Sequence, residues 1–220
     1  DNIEGLSADI QQDTAEKEAK INEIGERKKK QEELAKTLAE TEARLAKEQA
    51  EYDAKSADLD KAISSLESAI DAMVATGGTH PSATLLALKA NIQHSLEMAQ
   101  VMNLIQTPKQ KSVVAFLQQS KVDPDDPDYK YHSQGIVDVL GDLLKDFNNE
   151  KAEVDAEWTK TKAAEEQLIA DTTSDMTTNE AAINQLETDV ENLIVKIAAD
   201  RNSLVDAESM LKDDEQYMKD

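Results

Sequence analysis

The sequence predicts an all-α protein: an elongated antiparallel coiled coil or helical bundle with two long helices and two shorter helices packed at one end. The first observation is the scarcity of helix breakers in the two flanks of the chain. The 220 residues include six glycines and four prolines, and eight of these ten residues lie between positions 77 and 141. The second is that the flanks are rich in Ala, Glu, Lys and Leu, as long helices are. The third is a seven-residue apolar repeat in both flanks, which distinguishes the chain from a disordered polyanion.

The first predicted segment, residues 1–76, is one long coiled-coil helix. Stepping by seven from Ile3 to Met73 meets eleven residues, of which nine are apolar. Such a repeat forms a stripe that winds slowly around a helix and packs against a partner helix. A second seven-residue series begins at Leu6, and its members are called the companion residues. This series is less apolar than the first, because many of its members are polar. We expect the deepest packing from Leu59 to Val74, where the apolar stripe is richest.

The middle segment, residues 77–133, is predicted to hold two short helices and an acidic loop that form the bundle end. Paired glycines at 77 and 78 end the first helix, and apolar residues at helical spacing predict a second helix from Ser82 to Gln106. The run Thr107-Pro108-Lys109-Gln110 has the pattern of a capping box and predicts the start of a third helix. That helix carries Val113, Val114, Phe116 and Leu117. Two prolines predict an extended loop over residues 120–133.

The last segment, residues 134–220, is predicted to be a second long coiled-coil helix with Ser133 as its N-terminal cap. A seven-residue series in it is apolar at all eight positions: Ile169, Met176, Ile183, Val190, Ile197, Leu204, Leu211 and Met218. Poor helix formers occupy positions 172–174 and 177–179. We expect the helix to be weakest there.

The charge of the chain excludes several classes of partner. With 24 basic and 46 acidic residues, the formal net charge is −22. Nucleic acids and anionic lipids would repel such a protein, whereas protons, divalent cations and basic partners would be attracted. Because of this repulsion, we expect no nucleic-acid partner and no membrane partner. The chain also has no cysteine, which excludes disulfides and thiolate ligands.

The densest cluster of carboxylates is a candidate calcium site. Asp123, Asp125, Asp126 and Asp128 lie within six residues, and calcium takes oxygen ligands. The spacing does not match an EF-hand, because Asp128 stands where glycine is needed and Gln134 where glutamate is needed. A solvated acidic turn is the alternative, and any calcium bound here would be held weakly. We expect no cofactor other than calcium.

The sequence contains no catalytic arrangement. Its three histidines, His80, His94 and His132, are widely separated, and no nucleophile elbow or phosphate-binding loop is present. An enzyme that uses the acidic loop with a metal is one alternative. We predict instead that the protein is not an enzyme.

A run of residues in the centre of the chain resembles the pattern of a known family. Its members are Val114-Ala115-Phe116-Leu117-Gln118-Gln119, then Tyr131-His132-Ser133-Gln134-Gly135-Ile136-Val137, then Leu140, Leu143-Leu144, Phe147 and Glu150-Lys151. This pattern resembles the trichocyst matrix proteins of ciliates and similar acidic coiled-coil proteins of dinoflagellates, and the resemblance extends over most of the chain. Such proteins are cleaved from secretory precursors and stored as a crystalline lattice in an extrusive granule. The lattice expands in a calcium-dependent way on exocytosis.

The resemblance implies a structural protein of a secretory granule (the trichocyst), extracellular after discharge, whose partners are other copies or paralogues in a lattice. A first residue Asp1 rather than Met fits a cleaved precursor. The basic run Lys28–Lys30 is expected to meet acidic faces of neighbouring copies. The alternative is a cytosolic coiled-coil scaffold or filament-associated protein, which explains the heptads equally well.

Overall fold

The structure, a computed structural model, is all-α in the residues that it describes. These are residues 2–75, 82–108, 110, 111, 114 and 127–219, with the side chains of 82–91 and 127–134 left undescribed. Three helices occur in them: α1 (Asn2–Ala75), α2 (Ser82–Val101) and α3 (Pro127–Tyr217). No strand is found in the described residues. The all-α part of the predicted fold class is confirmed.

The chain divides into two compact units. Unit 1 comprises Asp1–Arg44 and Glu165–Asp220, and unit 2 comprises Leu45–Ala164. Both α1 and α3 therefore contribute residues to each unit.

In unit 1, α1 and α3 pack as an antiparallel pair. Asp13 bonds to Lys196, and further along α1, Lys20 bonds to Asp189. Because the partner's number falls as the number on α1 rises, the two helices run in opposite directions. The prediction that two long helices pack together is confirmed for this unit.

The heptad positions of α1 face its partner in unit 1. Every seventh residue from Ile3 and every seventh residue from Leu6 is buried or half-buried. The polar companion residues are therefore part of the seam, which is the line of heptad side chains between the two helices. On α3 the predicted series is buried or half-buried from Ile169 to Leu204. Its last two members, Leu211 and Met218, are exposed.

A second series on α3 also faces the seam, and the sequence analysis missed it. It consists of Glu165, Thr172, Asn179, Leu186, Leu193, Asp200 and Ala207, all buried or half-buried. Four of these seven side chains are polar or charged, so the series lacks the apolar regularity by which a seam is recognised in a sequence.

Unit 2 is held together by an apolar core to which all three helices contribute. The core includes Leu59 and Leu66 from α1, Ile92 and Leu96 from α2, and Ile136, Val139, Leu140, Leu143 and Phe147 from α3. Small residues bring α1 close to α2, and the Ser95 hydroxyl donates a hydrogen bond to the Ala62 carbonyl at 3.2 Å. The predicted deep packing that begins at Leu59 is confirmed, and it ends at Met73, since Val74 is exposed.

Helix α2 ends at Val101, five residues before the predicted end. Asn103 adopts a left-handed conformation with φ of 58°. The N–H of Leu104 then bonds to the Ala99 carbonyl at 2.8 Å, and the Asn103 N–H bonds to the carbonyl of the third residue before it. These are the two bonds of a Schellman motif, for which asparagine is one of the few suitable residues. The apolar spacing continues past this point and gave a helix that was too long.

The predicted capping box at Thr107 is confirmed. The Gln110 N–H bonds to Thr107 Oγ1 at 3.2 Å, and the Thr107 N–H bonds to Gln110 Oε1 at 2.9 Å. Lys111 N–H reaches the Thr107 carbonyl at 3.0 Å, which closes the first turn. Of the four apolar residues predicted in this helix, the structure describes Val114, which is buried. The other three lie outside the described residues, and the arrangement of two long and two short helices stays a prediction.

Helix α3 begins at Pro127, seven residues before the predicted start. Residues 127–133 were predicted to be loop, and the cap proposed at Ser133 is wrong because that residue lies inside the helix. Proline is tolerated in the first turn of a helix, where its missing N–H would have no intrahelical partner. The two prolines of this segment predicted a loop and not the start of a helix.

Helix α3 is continuous through its weakest predicted point. The hydroxyls of Thr172, Thr173, Thr177 and Thr178 each donate a hydrogen bond to the carbonyl four residues earlier. These bonds satisfy the hydroxyls within the helix itself. Packing of Thr172 and Asn179 into the seam then holds the helical conformation.

Candidate functional site

The predicted calcium ligands are mostly outside the described residues. Asp123, Asp125 and Asp126 are among those left out, while Asp128 lies in the first turn of α3 with its side chain undescribed. Elsewhere in the described ranges, no group of three or more His, Cys, Asp or Glu side chains is placed to hold a metal ion. The calcium site therefore stays a prediction.

The functional candidate within the described residues is the polar seam of unit 1. Two successive companion residues on α1 bond across to charged residues on α3. Asp13, which is buried, accepts a hydrogen bond from Lys196, and Lys20 Nζ donates to Asp189 Oδ2 at 3.0 Å. The bond from Lys20 lowers the pKa of Asp189, and the bond to Asp13 raises the pKa of Lys196. These two seam residues therefore each have a partner of opposite charge on α3.

The next layer of the seam is built around Asn179. Its amide Nδ2 donates to the Arg27 carbonyl at 2.8 Å and to Gln31 Oε1 at 2.9 Å, and its Oδ1 accepts from Arg27 Nη1 at 3.4 Å. A buried asparagine with polar partners favours one alignment of two helices over others at some cost in stability. The sequence analysis recognised Asn179 only as a poor helix former. Its seven-residue spacing from Thr172 and Leu186 could have identified it as a seam residue.

Two more ion pairs link α1 and α3 in unit 1, one at the edge of the seam and one that includes the seam residue Glu165. Lys28 Nζ lies 2.8 Å from Glu187 Oε1. Arg44 makes a two-point contact with Glu165, with its Nε 3.0 Å from Oε1. The Lys28–Glu187 pair is solvent-accessible and therefore contributes little to stability, whereas the Glu165 side chain is only 16% exposed.

Unit 2 has a polar cluster of its own at the edge of its core. Tyr52 donates a hydrogen bond to Asp155 Oδ1 at 2.9 Å and stacks on Trp158 with ring centroids 5.2 Å apart. Lys151 Nζ lies 2.7 Å from Asp155 Oδ2. The bonds from Lys151 and Tyr52 lower the pKa of Asp155. The arrangement ties α1 to α3 through one hydroxyl, one carboxylate and one ammonium group.

The negative charge is unevenly divided between the two units. Unit 1 has 27 acidic and 12 basic residues, for a net charge of −15, whereas unit 2 has 19 and 12, for −7. The unit with the thinner apolar packing is thus the more acidic one. Its association with any second acidic surface should depend strongly on pH and counterions.

In the part of the chain that the structure covers, no helix has an apolar stretch long enough to cross a bilayer. No protein-family model matches the chain, and neither does any curated protein or any solved structure.

Proposed function

We propose that this chain is a structural, lattice-forming protein of an extrusive secretory granule, of the trichocyst matrix kind. It assembles through its helix faces with other copies or paralogues, and the assembly responds to calcium or pH on exocytosis. The resemblance of residues 114–151 supports the family, and the packing of unit 1 supports assembly. In this proposal the protein has no catalytic role, and it becomes extracellular when the granule discharges.

The observation that carries the proposal is the thin apolar packing of unit 1. Among its described apolar residues, only Ile183, Leu186, Leu193 and Ile197 are less than a tenth exposed. All four lie on α3, and the apolar seam residues of α1 opposite them are half-buried. Most of the stability of a helix in a protein comes from packing of its apolar face, so a pair this thin gains stability from neighbouring copies.

The charge supplies the control of assembly. Copies with a net charge of −22 repel one another, and protons or divalent cations reduce this repulsion. Asp189 and Asp155 have lowered pKa values because of their bonds to lysine. They stay ionised at a pH where ordinary exposed carboxylates begin to bind protons. Mild acid therefore reduces repulsion between copies while these two internal bonds persist.

Light scattering of the purified chain tests the assembly part of the proposal. Samples are compared between about pH 4.5 and pH 7, where exposed carboxylates begin to change charge, with calcium chloride and with sodium chloride at matched ionic strength. We expect scattering to rise at low pH and to change specifically with calcium. Scattering that is indifferent to both variables would refute the switching mechanism.

Microscopy of the labelled protein in cells tests the location. A signal in extrusive granules supports the proposal, whereas a signal on cytoplasmic filaments would favour the cytosolic scaffold.

For calcium, the candidate ligands remain Asp123, Asp125, Asp126 and Asp128, with weak binding expected. The proposed arrangement places two short helices and this loop beside the ends of the two long helices.

A further inference from the structure

An exposed apolar pair lies across one edge of the seam in unit 1. The 2.8 Å contact between Lys28 and Glu187 shows that these two positions are neighbours across that edge. One heptad earlier on α1 is Ile21, and one heptad later on α3 is Ile194. Because the helices are antiparallel and both follow the heptad repeat, Ile21 and Ile194 are neighbours on the same edge.

These residues form an apolar patch where charged residues are usual. Positions that flank a coiled-coil seam commonly carry Glu or Lys, as Lys28 and Glu187 do. Ile21 is 47% exposed and Ile194 is 51% exposed, and the adjacent Val195 is 69% exposed. Single exposed apolar residues need no explanation, but an apolar cluster built from two helices marks a contact surface. We call Ile21, Ile194 and Val195 the isoleucine patch.

We propose that the isoleucine patch is a contact surface between two copies of this chain. This inference rests on the self-assembly in the proposed function and adds the place where copies meet. Charge complementarity favours a second copy as the occupant. The patch is bordered by the Lys28–Glu187 ion pair, whose two side chains stay 58% and 46% exposed and can each face the opposite charge of a second such pair. A copy turned face to face about a twofold axis parallel to the helices brings its α3 over α1 and its α1 over α3. Lys28 of each copy then lies near Glu187 of the other, and Ile21 lies near Ile194 of the other.

The seam itself is unsuited to joining copies. Its α1 side carries Asp13, Lys20 and Arg27 at successive companion positions, and each already bonds to α3. Opening the pair to form a bundle with a second copy would bury these charges more deeply, at a large desolvation cost. Contact between copies through the outer edge leaves these bonds intact.

The patch is small compared with a stable interface. Specific interfaces bury about 1,200–2,000 Å² in total, which three partly exposed side chains per copy do not reach. A single contact is therefore weak, and it becomes effective when each molecule makes several contacts in an assembly. The test has to be made under assembling conditions.

The test compares single substitutions in the full-length chain. Ile21→Glu and Ile194→Glu place a charge in the patch, and Leu168→Glu is the matched control. Leu168 is also in unit 1 and is 40% exposed. Leu168 immediately precedes the seam residue Ile169, whereas Ile194 immediately follows the seam residue Leu193. Leu168 therefore lies at the opposite edge of the seam. Circular dichroism shows whether each variant keeps its helices, and light scattering against protein concentration gives the threshold for assembly.

We expect both patch variants to raise the threshold about tenfold, which corresponds to loss of one partly buried isoleucine contact. The control variant should assemble as the wild type does. If the wild type assembles and the patch variants do so at the same concentration, the patch is not the contact and the proposed function stands. Equal weakening by the control would also overturn the inference. A wild type that never assembles would overturn both proposals.

Cross-linking gives an independent measurement, because the chain has no cysteine. Ile21→Cys and Ile194→Cys chains are mixed under assembling conditions and oxidised. We expect a disulfide-linked dimer of the two variants, and none when Leu168→Cys replaces Ile194→Cys. Absence of the mixed dimer in assembled samples would exclude the twofold arrangement.

Discussion

Replacing Asn179 with alanine should loosen unit 1. Asn179 is 3% exposed, and its amide makes hydrogen bonds of 2.8 and 2.9 Å to the Arg27 carbonyl and to Gln31 Oε1. The alanine variant loses these two bonds and the longer one from Arg27 Nη1, and it gains no apolar packing. At about 0.5–1.5 kcal/mol for each bond, the free energy of unfolding of unit 1 should fall by about 1–3 kcal/mol.

The same layer should tolerate replacement of both polar partners. With Asn179→Leu and Gln31→Leu together, the bond between these two side chains is removed from both sides and two apolar side chains meet in the seam. Arg27 loses its contacts with Asn179 and keeps its ion pair with Glu23. Replacing both partners of a buried hydrogen bond by apolar groups is often neutral or stabilising. We expect the double variant to be at least as stable as the wild type.

Hydrogen exchange followed by mass spectrometry is the suitable assay, because it reports on each unit separately. Peptides from residues 20–40 and 172–190 report on unit 1. Asn192→Ala is the matched control, since that asparagine is on the same helix and exposed. It should change stability by less than about 0.5 kcal/mol.

Two results would refute this reasoning. If Asn179→Ala exchanges no faster than Asn192→Ala, the polar layer contributes nothing to unit 1. If the double leucine variant is less stable than Asn179→Ala, the bond between Asn179 and Gln31 stabilises unit 1 more than an apolar layer at the same place does.

Three further outcomes are expected. Phe147→Ala removes a side chain that is 0% exposed in the core of unit 2, and it should lower the free energy of unfolding by about 3–5 kcal/mol in urea titrations; Leu211→Ala, at an exposed position, should change it by less than about 0.5 kcal/mol. Gln110→Ala breaks the capping box and should cost about 1 kcal/mol in the same titrations, and an unchanged midpoint would contradict the cap's role. The pKa values of Asp155 and Asp189 are lowered in the folded chain from the ordinary 3.8. Their contribution to stability is therefore present above about that pH and lost as the pH falls through the lowered values. The helical circular dichroism signal should persist down to about pH 4.5, and loss of stability that begins near pH 6 would contradict this assignment.

Local patterns predicted the elements that local chemistry controls. The heptad series and the paired glycines predicted the first helix over residues 1–76, and α1 spans Asn2–Ala75. The capping box at Thr107 was predicted correctly because all of its partners lie within four residues. The end of α2 was missed because the left-handed Asn103 interrupts a helix whose apolar spacing continues.

The start of α3 and its continuity were harder to predict. Proline can either fix a loop or open a helix, and the sequence around Pro127 does not distinguish these uses. The threonine-rich segment of α3 reads as weak because intrinsic propensity ignores packing. Its burial against α1 stabilises a conformation that the isolated segment would hold poorly.

The amino-acid sequence alone determined that the chain is helical, where α1 runs and which residues of α1 face a partner, because these depend on spacing within one helix. It also determined the net charge of −22. Only the tertiary structure decided which polar seam residues find partners. Arg27 and Asn179 are 152 residues apart in the chain, and their bond exists because two antiparallel helices bring one particular layer of each into register. The isoleucine patch has the same origin, since Ile21 and Ile194 become neighbours only through that alignment.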